Sequence, residues 1–391
     1  IEFGHHIAAP APDRIVLRRI DKTVEPVRRR LLLIDGRPRR DDAQVAIDLH
    51  RIRIDDDAVV AAREFERQRG LAACGRPCDK HHPVHVASQF AIHSVTHIAT
   101  LIARPGTLDA TLVARAQSTL PQAGAPHWLS PGEAVDLPFN AETANGTDAA
   151  LAERLRAALA APVDVVVQPV AHRRKRLFLA DMDSTMIGQE CIDELADFAG
   201  LKAHVAGITE RAMRGEIEFE PALRERVALL KDMPVSVVDE VLKTRIKPTP
   251  GGSQLVMTMR AHGAYTCLIS GGFTLFTNAV AAMIGFQENR ANELIVRDGK
   301  FSGEVREPIL GRAAKLQTLI DLTESFDLDD IDTMVAGDGA NDLGMIQNAG
   351  LGVAYHAKPA VAAAAAARID HGDLTALLYA QGYRREEFVE S

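Results

Sequence analysis

The run Asp181-Met182-Asp183-Ser184-Thr185 places two carboxylates two residues apart, directly behind the apolar stretch Leu177–Ala180. If that stretch is a strand, both acids project from its end into one crevice, where one can attack while the other moves a proton. Phosphoryl transfer calls for such a pair: a nucleophile in line with the leaving oxygen, a proton donor for the departing alkoxide, and a cation against anionic repulsion. A bare Asp-x-Asp is more common as a solvated acidic turn, so the reading depends on what accompanies it.

Three further segments accompany it. Ser270-Gly271-Gly272 follows the strand-like residues 265–269, and a hydroxyl beside glycines that admit close approach can hold phosphate oxygens; by itself it is equally a strand-to-helix turn. Lys315, on a predicted helix over 312–322, could neutralise a phosphate, although most lysines are simply solvated. Gly337-Asp338-Gly339-Ala340-Asn341-Asp342 puts two acids on a glycine-rich loop behind the strand-like residues 333–336. Hard oxygen ligands of this kind suit Mg²⁺, with a calcium-type or purely structural acidic turn as the alternative.

The elements around these segments repeat strand then helix from Leu177 onward, with 351–353 as another strand. That order predicts an α/β fold with a parallel sheet covered on both faces and its functional residues at the carboxyl ends of the strands. Residues 189–247 read as purely helical, including an amphipathic stretch over 221–230, and form a cap inserted after the first strand. Ahead of this, His97–Ala103 reads as a buried strand and Arg104-Pro105-Gly106 as a turn. Helix-spaced apolar residues over 108–120, a strand over 134–137, a capped helix Asp148–Leu159 and a β-branched strand over 163–167 complete a small α+β unit. Its order resembles an ACT-like regulatory domain over 96–170, and His172-Arg173-Arg174-Lys175-Arg176 reads as the linker to a second domain over 171–391.

The four chemical segments, in this order and each at a strand end or helix start, resemble the haloacid dehalogenase superfamily of phosphatases. That resemblance implies a Rossmann-like parallel sheet with the cap inserted after its first strand. Asp181 would be the nucleophile and Asp183 the acid/base, with Ser270, Gly271, Lys315 and Asn341 on the substrate. Mg²⁺ would sit on Asp181, the Asp183 main-chain carbonyl and Asp338, with Asp342 adjacent. In the cap, Glu190 and the segment from Met213 through Phe219 to Arg226 resemble the phosphoserine phosphatase family. By that resemblance Glu190 meets the substrate ammonium, Arg226 its carboxylate, and Met213 and Phe219 close the pocket. The activity implied is hydrolysis of O-phosphoserine to serine and phosphate through an aspartyl-phosphate, the last step of serine synthesis. Its competitors are a phosphatase or phosphotransferase acting on another small phosphomonoester such as phosphohomoserine, and an amino-acid-sensing regulatory protein.

The bulk composition agrees with a globular enzyme. Among 391 residues, 47% are apolar and 25% charged, and a net charge of -8 with a pI near 6.0 gives no general attraction to nucleic acid or anionic membrane. No run reaches the roughly 20 apolar residues of a membrane span. Four scattered cysteines are too few for a disulfide framework, which fits a cytoplasmic location. Residues 1–90 alternate Arg and Asp runs without sustained periodicity, so a disordered or non-native extension is expected there. Cys74, Cys78, His81, His82 and His85 lie too close together for a zinc-finger spacing. The expected partners are the small-molecule substrate, free serine as a regulator and a second copy in a homodimer, with no nucleic acid and no membrane.

Overall fold

The computed structural model describes residues 95–141, 147–213 and 216–390; the expectations for 1–90, the cysteine and histidine cluster included, lie outside them. The first elements run β1 (His97–Ala103), α1 (Ala110–Thr119), β2 (His127–Ser130), β3 (Ala134–Phe139), α2 (Asp148–Leu159) and β4 (Val163–Pro169). They form an antiparallel sheet in the order β2-β3-β1-β4, a split β-α-β arrangement. Both helices start where a side chain takes up a free amide: Asp109 accepts from the Leu112 N–H and Thr147 from the Ala150 N–H.

Alternation along these strands explains why the unit is not an appendage. Ala99, Leu101, Val135, Leu137, Val165 and Val167 face the two helices, while Ile102, Ala134 and Val166, on the opposite face, join the core of the following elements. The sheet is therefore buried on both sides. The basic segment expected to be a linker is correspondingly tight: Lys175 is buried, with its Nζ donating to the Ile331 carbonyl, and Arg173 forms an ion pair with Asp136 on β3.

The chain then enters β5 (Leu177–Ala180) and, through the irregular turn Met182–Met186, a helical cap of α3 (Cys191–Phe198), α4 (Lys202–Met213), α5 (Phe219–Ala228) and α6 (Val237–Thr244). It returns beside its point of departure, where Ile187 pairs with Pro248. After α7 (Gly252–Ala261) come β6 (Tyr265–Phe273), α8 (Thr274–Ile284), β7 (Glu288–Asn292), the hairpin β8 (Leu294–Arg297) and β9 (Lys300–Val305), and α9 (Arg312–Ser325). The chain finishes through β10 (Thr333–Gly337), α10 (Leu343–Asn348), β11 (Leu351–Tyr355), α11 (Pro359–Ala364), β12 (Ala367–Ile369) and α12 (Ala376–Ala380).

Six of these strands make a parallel sheet in the order β12-β11-β10-β5-β6-β7. Successive residues of β5 serve opposite cores: Phe178 packs with Leu255, Phe276 and Leu377, whereas Leu177 and Leu179 pack with Leu319, Leu322 and Ile346. Among the described residues no helix is long and apolar enough to cross a membrane.

One local expectation is corrected, and further strands appear beside it. β6 does not end before Ser270 but continues to Phe273, with a register shift against β7 between Ile269 and Phe273. β2, β7 and β12 form in stretches to which the sequence reading assigns no element. The β8–β9 hairpin packs on cap helix α5, and its turn residues Asp298 and Gly299 both take positive φ, the Asp-Gly signature of a tight hairpin turn.

Candidate active site

β5, β6 and β10 end side by side, and the parallel order carries the four segments to one edge of the sheet. Asp181 continues β5, its amide bonded to the Ala336 carbonyl, and is buried. Its Oδ1 is doubly held, by Lys315 Nζ at 2.6 Å and by the Met182 amide at 2.8 Å. Among the described residues, no hydrogen bond falls on Oδ2, which leaves one oxygen uncommitted on a residue that lines the cavity. The turn beyond it places Ser184 at φ +56°, a left-handed conformation that costs a non-glycine residue about 1 kcal/mol and re-aims the chain into the cap.

Asp183 is fixed at both oxygens: Oδ1 accepts from the Cys191 amide at 2.8 Å and Oδ2 from Ser270 Oγ at 3.1 Å. Ser270 in turn accepts the Gly272 amide at 2.8 Å. The Gly337–Asp342 loop depends on its first glycine, since a Cβ there would lie 2.6 Å from the Asp342 carboxyl carbon. That space lets Asp342 fold under the loop, where it is fully buried between the Gly339 amide and Lys315. Lys315 itself is buried behind Asp181 and is not part of the cavity wall.

In front of Lys315 and Asp342 lies a cavity of about 670 Å³ roofed by the cap. Asp181, Asp183, Ser270, Gly271, Asp338 and Asn341 lie on the sheet side, with Glu190, Phe219 and Arg226 on the cap side. Met213 ends α4, but its side chain lies outside the described part of the structure. Phe219 lies against both Gly271 and Gly311, so the cap touches the floor directly. Glu190 accepts from Ser184 Oγ at 2.8 Å. Arg226 makes only a long Nε contact to the Ala222 carbonyl and, among the described residues, no ion pair within 4 Å.

Around Asp181 negative charge outweighs positive. Burial lifts the Asp181 carboxyl well above the usual carboxylate range and the Asp342 charge adds to this, against the pull of Lys315. Asp183 and Asp338 are raised by burial too, and Glu190 is pushed up to about 7 by burial and then by Asp183. Burial works against the Lys315 ammonium, but Asp181 and Asp342 outweigh it and hold it above the ordinary lysine value. Carboxylate oxygens of Asp181, Asp338 and Asp342 lie within 4.8 Å of one another. All are hard donors, and one ammonium does not offset their charge, so this cluster fits a hard divalent cation.

The sequence pattern of the haloacid dehalogenase-like hydrolases matches residues 178–347. A phosphoserine phosphatase of Polaromonas sp. is 44% identical over 208 residues, which cover 52% of this chain and 88% of that protein. The chain belongs to the phosphoserine phosphatase family. A solved structure of a probable phosphoserine phosphatase from Vibrio cholerae, 29% identical, superposes with a TM-score of 0.60 over 76% of this chain and 90% of its own. A second, a phospho-aspartyl intermediate analogue of phosphoserine phosphatase, is 38% identical with a TM-score of 0.50 over 54% of this chain and all of its own.

Phosphatases of this family are generally metal-dependent, which agrees with the surplus of carboxylates at the site. The cavity wall of this family member also contains residues that sequence reasoning passed over: Asp193, Thr209, Phe273, Arg312 and Lys358. Two had a local signal. Arg312 opens α9 one turn before Lys315, and Lys358 precedes Pro359 at a helix start behind β11, a strand end like the others.

Proposed function

We propose that the chain hydrolyses O-phosphoserine to serine and phosphate with Mg²⁺, through an aspartyl-phosphate on Asp181. The observation that carries this reading is the uncommitted Oδ2 of Asp181, with Oδ1 tied to Lys315 and Met182, on a residue lining a cavity whose cap side holds a cationic Arg226 and an acidic Glu190. Carboxylate and ammonium of an amino acid need one partner of each sign, and Arg226 has no internal ion pair to give up among the described residues.

Asp181, Asp338 and the Asp183 carbonyl would hold the Mg²⁺, with Asp342 beside them; when bound, it would draw charge from the phosphate oxygens. Ser270, the Gly271 amide and Asn341 would orient those oxygens, and Lys315 would offset charge as Asp181 is consumed. Oδ2 of Asp181 attacks phosphorus as the bond to the serine oxygen breaks, and that oxygen takes the proton of Asp183. Burial keeps Asp183 raised, so its proton is held closer to neutral pH than an exposed aspartate would allow. Asp183 then takes a proton from the water that cleaves the acyl phosphate, releasing phosphate and restoring Asp181.

The reading extends to the last step of serine synthesis in the cytoplasm, to free serine as a regulator acting through an ACT-like unit over 96–170, and to a homodimer. A panel of phosphoserine, phosphothreonine and other small phosphomonoesters, with and without Mg²⁺, tests its centre. Release of phosphate from phosphoserine that vanishes on chelation and returns with Mg²⁺ is expected. Turnover confined to another monoester, or phosphate passed only to an added alcohol such as homoserine, would overturn the substrate or the hydrolytic step.

A further inference from the structure

Asn292 closes β7, beside the segment of β6 that carries Ser270 and Gly271. The register between these strands runs Ile269 opposite Arg290 and then Phe273 opposite Asn292, so four residues of β6 are spanned by two of β7. The surplus residues bow out of the ladder as a bulge, and that bulge is what aims Ser270 at Asp183. A bulge of this size loses ladder hydrogen bonds, and its buried polar groups must find other partners.

The Asn292 side chain supplies them. It is 3% exposed; Nδ2 donates to the Gly271 carbonyl at 2.9 Å and to the Leu310 carbonyl at 3.2 Å, and Oδ1 accepts the Leu310 amide at 2.6 Å. Two carbonyls face one end of the amide and an N–H the other, so only one orientation of the amide satisfies all three. Leu310 leads into Gly311, whose carbonyl receives the Lys315 amide at 3.1 Å in the first turn of α9. One side chain thus ties the Ser270–Gly272 bulge to the helix that carries Lys315. Phe219 of the cap rests on Gly271 and Gly311, the two glycines flanking this tie.

We infer that Asn292 is a positioning residue for the reaction, setting the distance between the Ser270–Gly271 phosphate loop and the Lys315–Asp181 pair and supplying the seat on which the cap closes. The inference rests on phosphoryl transfer at this site and on no choice of substrate. Asparagine is required because aspartate has no hydrogens for the two carbonyls and leucine, of similar volume, satisfies none of the three groups. Displacement of one phosphate-holding segment by a fraction of an ångström to an ångström costs up to about 10²-fold in rate.

The test uses the full chain and p-nitrophenyl phosphate, which lacks the amino-acid part, together with inorganic phosphate as inhibitor. Asn292→Asp and Asn292→Leu should each lower kcat by about 10²-fold and weaken inhibition by phosphate by about tenfold. Leu155→Ala, a core truncation beneath the β2-β3-β1-β4 sheet, serves as the stability control. The inference is overturned if both Asn292 variants keep kcat and phosphate inhibition within twofold of the parent. It is equally overturned if Leu155→Ala, at a matched fall in Tm, loses as much of both. A parent that cleaves p-nitrophenyl phosphate but not phosphoserine defeats the substrate reading alone and leaves this comparison intact.

Discussion

Two buried ionic clusters in this molecule follow opposite plans. Where the β2-β3-β1-β4 sheet meets the parallel-sheet body, Arg173 forks onto Asp136 with contacts of 2.5 and 2.6 Å, and gives its other hydrogen bonds to Thr100 Oγ1 and the carbonyls of Tyr379 and Ala380. One cation meets one anion, and all three guanidinium nitrogens are engaged. In the crevice, the buried ammonium of Lys315 pairs with Asp181 and Asp342, while Asp183 and Asp338 lie nearby without an ion pair among the described residues. Asp181, Asp183 and Asp338 are held above the usual carboxylate range. A closed, balanced cluster joins two bodies. An open cluster with surplus negative charge is less stable than its surroundings, and that surplus is what a cation and a phosphoryl group can use.

Removing one carboxylate from each cluster sharpens the contrast. Asp181→Asn should lower turnover by more than about 10³-fold, since the attacking oxygen is gone, yet raise Tm, because a buried charge crowded by Asp342 has been neutralised. Steady-state kinetics and thermal denaturation on one preparation check both signs, and substantial residual turnover would contradict attack by Asp181. Asp136→Ala should do the reverse. It strands the Arg173 guanidinium and should cost about 3–5 kcal/mol in urea unfolding, while the protein that remains folded keeps kcat near the parent value. A large loss of kcat at full folding would show that the junction is part of the catalytic apparatus.

The smallest effect concerns Glu190. With its carboxyl pushed up to about 7, it is ionised above that pH and neutral below, the direction expected of a buried acid. An ammonium is attracted only to the ionised form. The ratio of kcat/KM for phosphoserine between parent and Glu190→Gln should therefore be about tenfold at pH 8 and shrink toward one as pH falls through 7. A ratio that does not change with pH would place the ammonium elsewhere.

The crevice was far more legible in the sequence than the junction, for a physical reason. Asp181, Ser270 and Asp338 sit in short segments behind apolar runs, and a parallel sheet brings strand ends together whatever the loops do. Arg173 and Lys175 lie in a basic run that reads as a linker, and their partners Asp136, Ile331 and Ala380 are distant in sequence and carry no local pattern. The side of each β1 residue was equally hidden, since a strand buried on both faces shows no alternation of polarity. Asn292 escaped notice because its role is created by a two-residue bulge, and nothing in Ser270-Gly271-Gly272 distinguishes a bulge from a turn. The hairpin is different: Asp298-Gly299 between β-formers was a readable signal.

The grip on Arg173 also fixes an order of events during synthesis. Tyr379 and Ala380, whose carbonyls hold the guanidinium, follow Arg173 by more than two hundred residues. As the chain emerges from the ribosome, the β2-β3-β1-β4 sheet can assemble on α1 and α2 while its other face, with Ile102, Ala134 and Val166, still lacks its cover. That apolar face is completed only when α12, with Leu377 and Leu378, has been made and can pack on it.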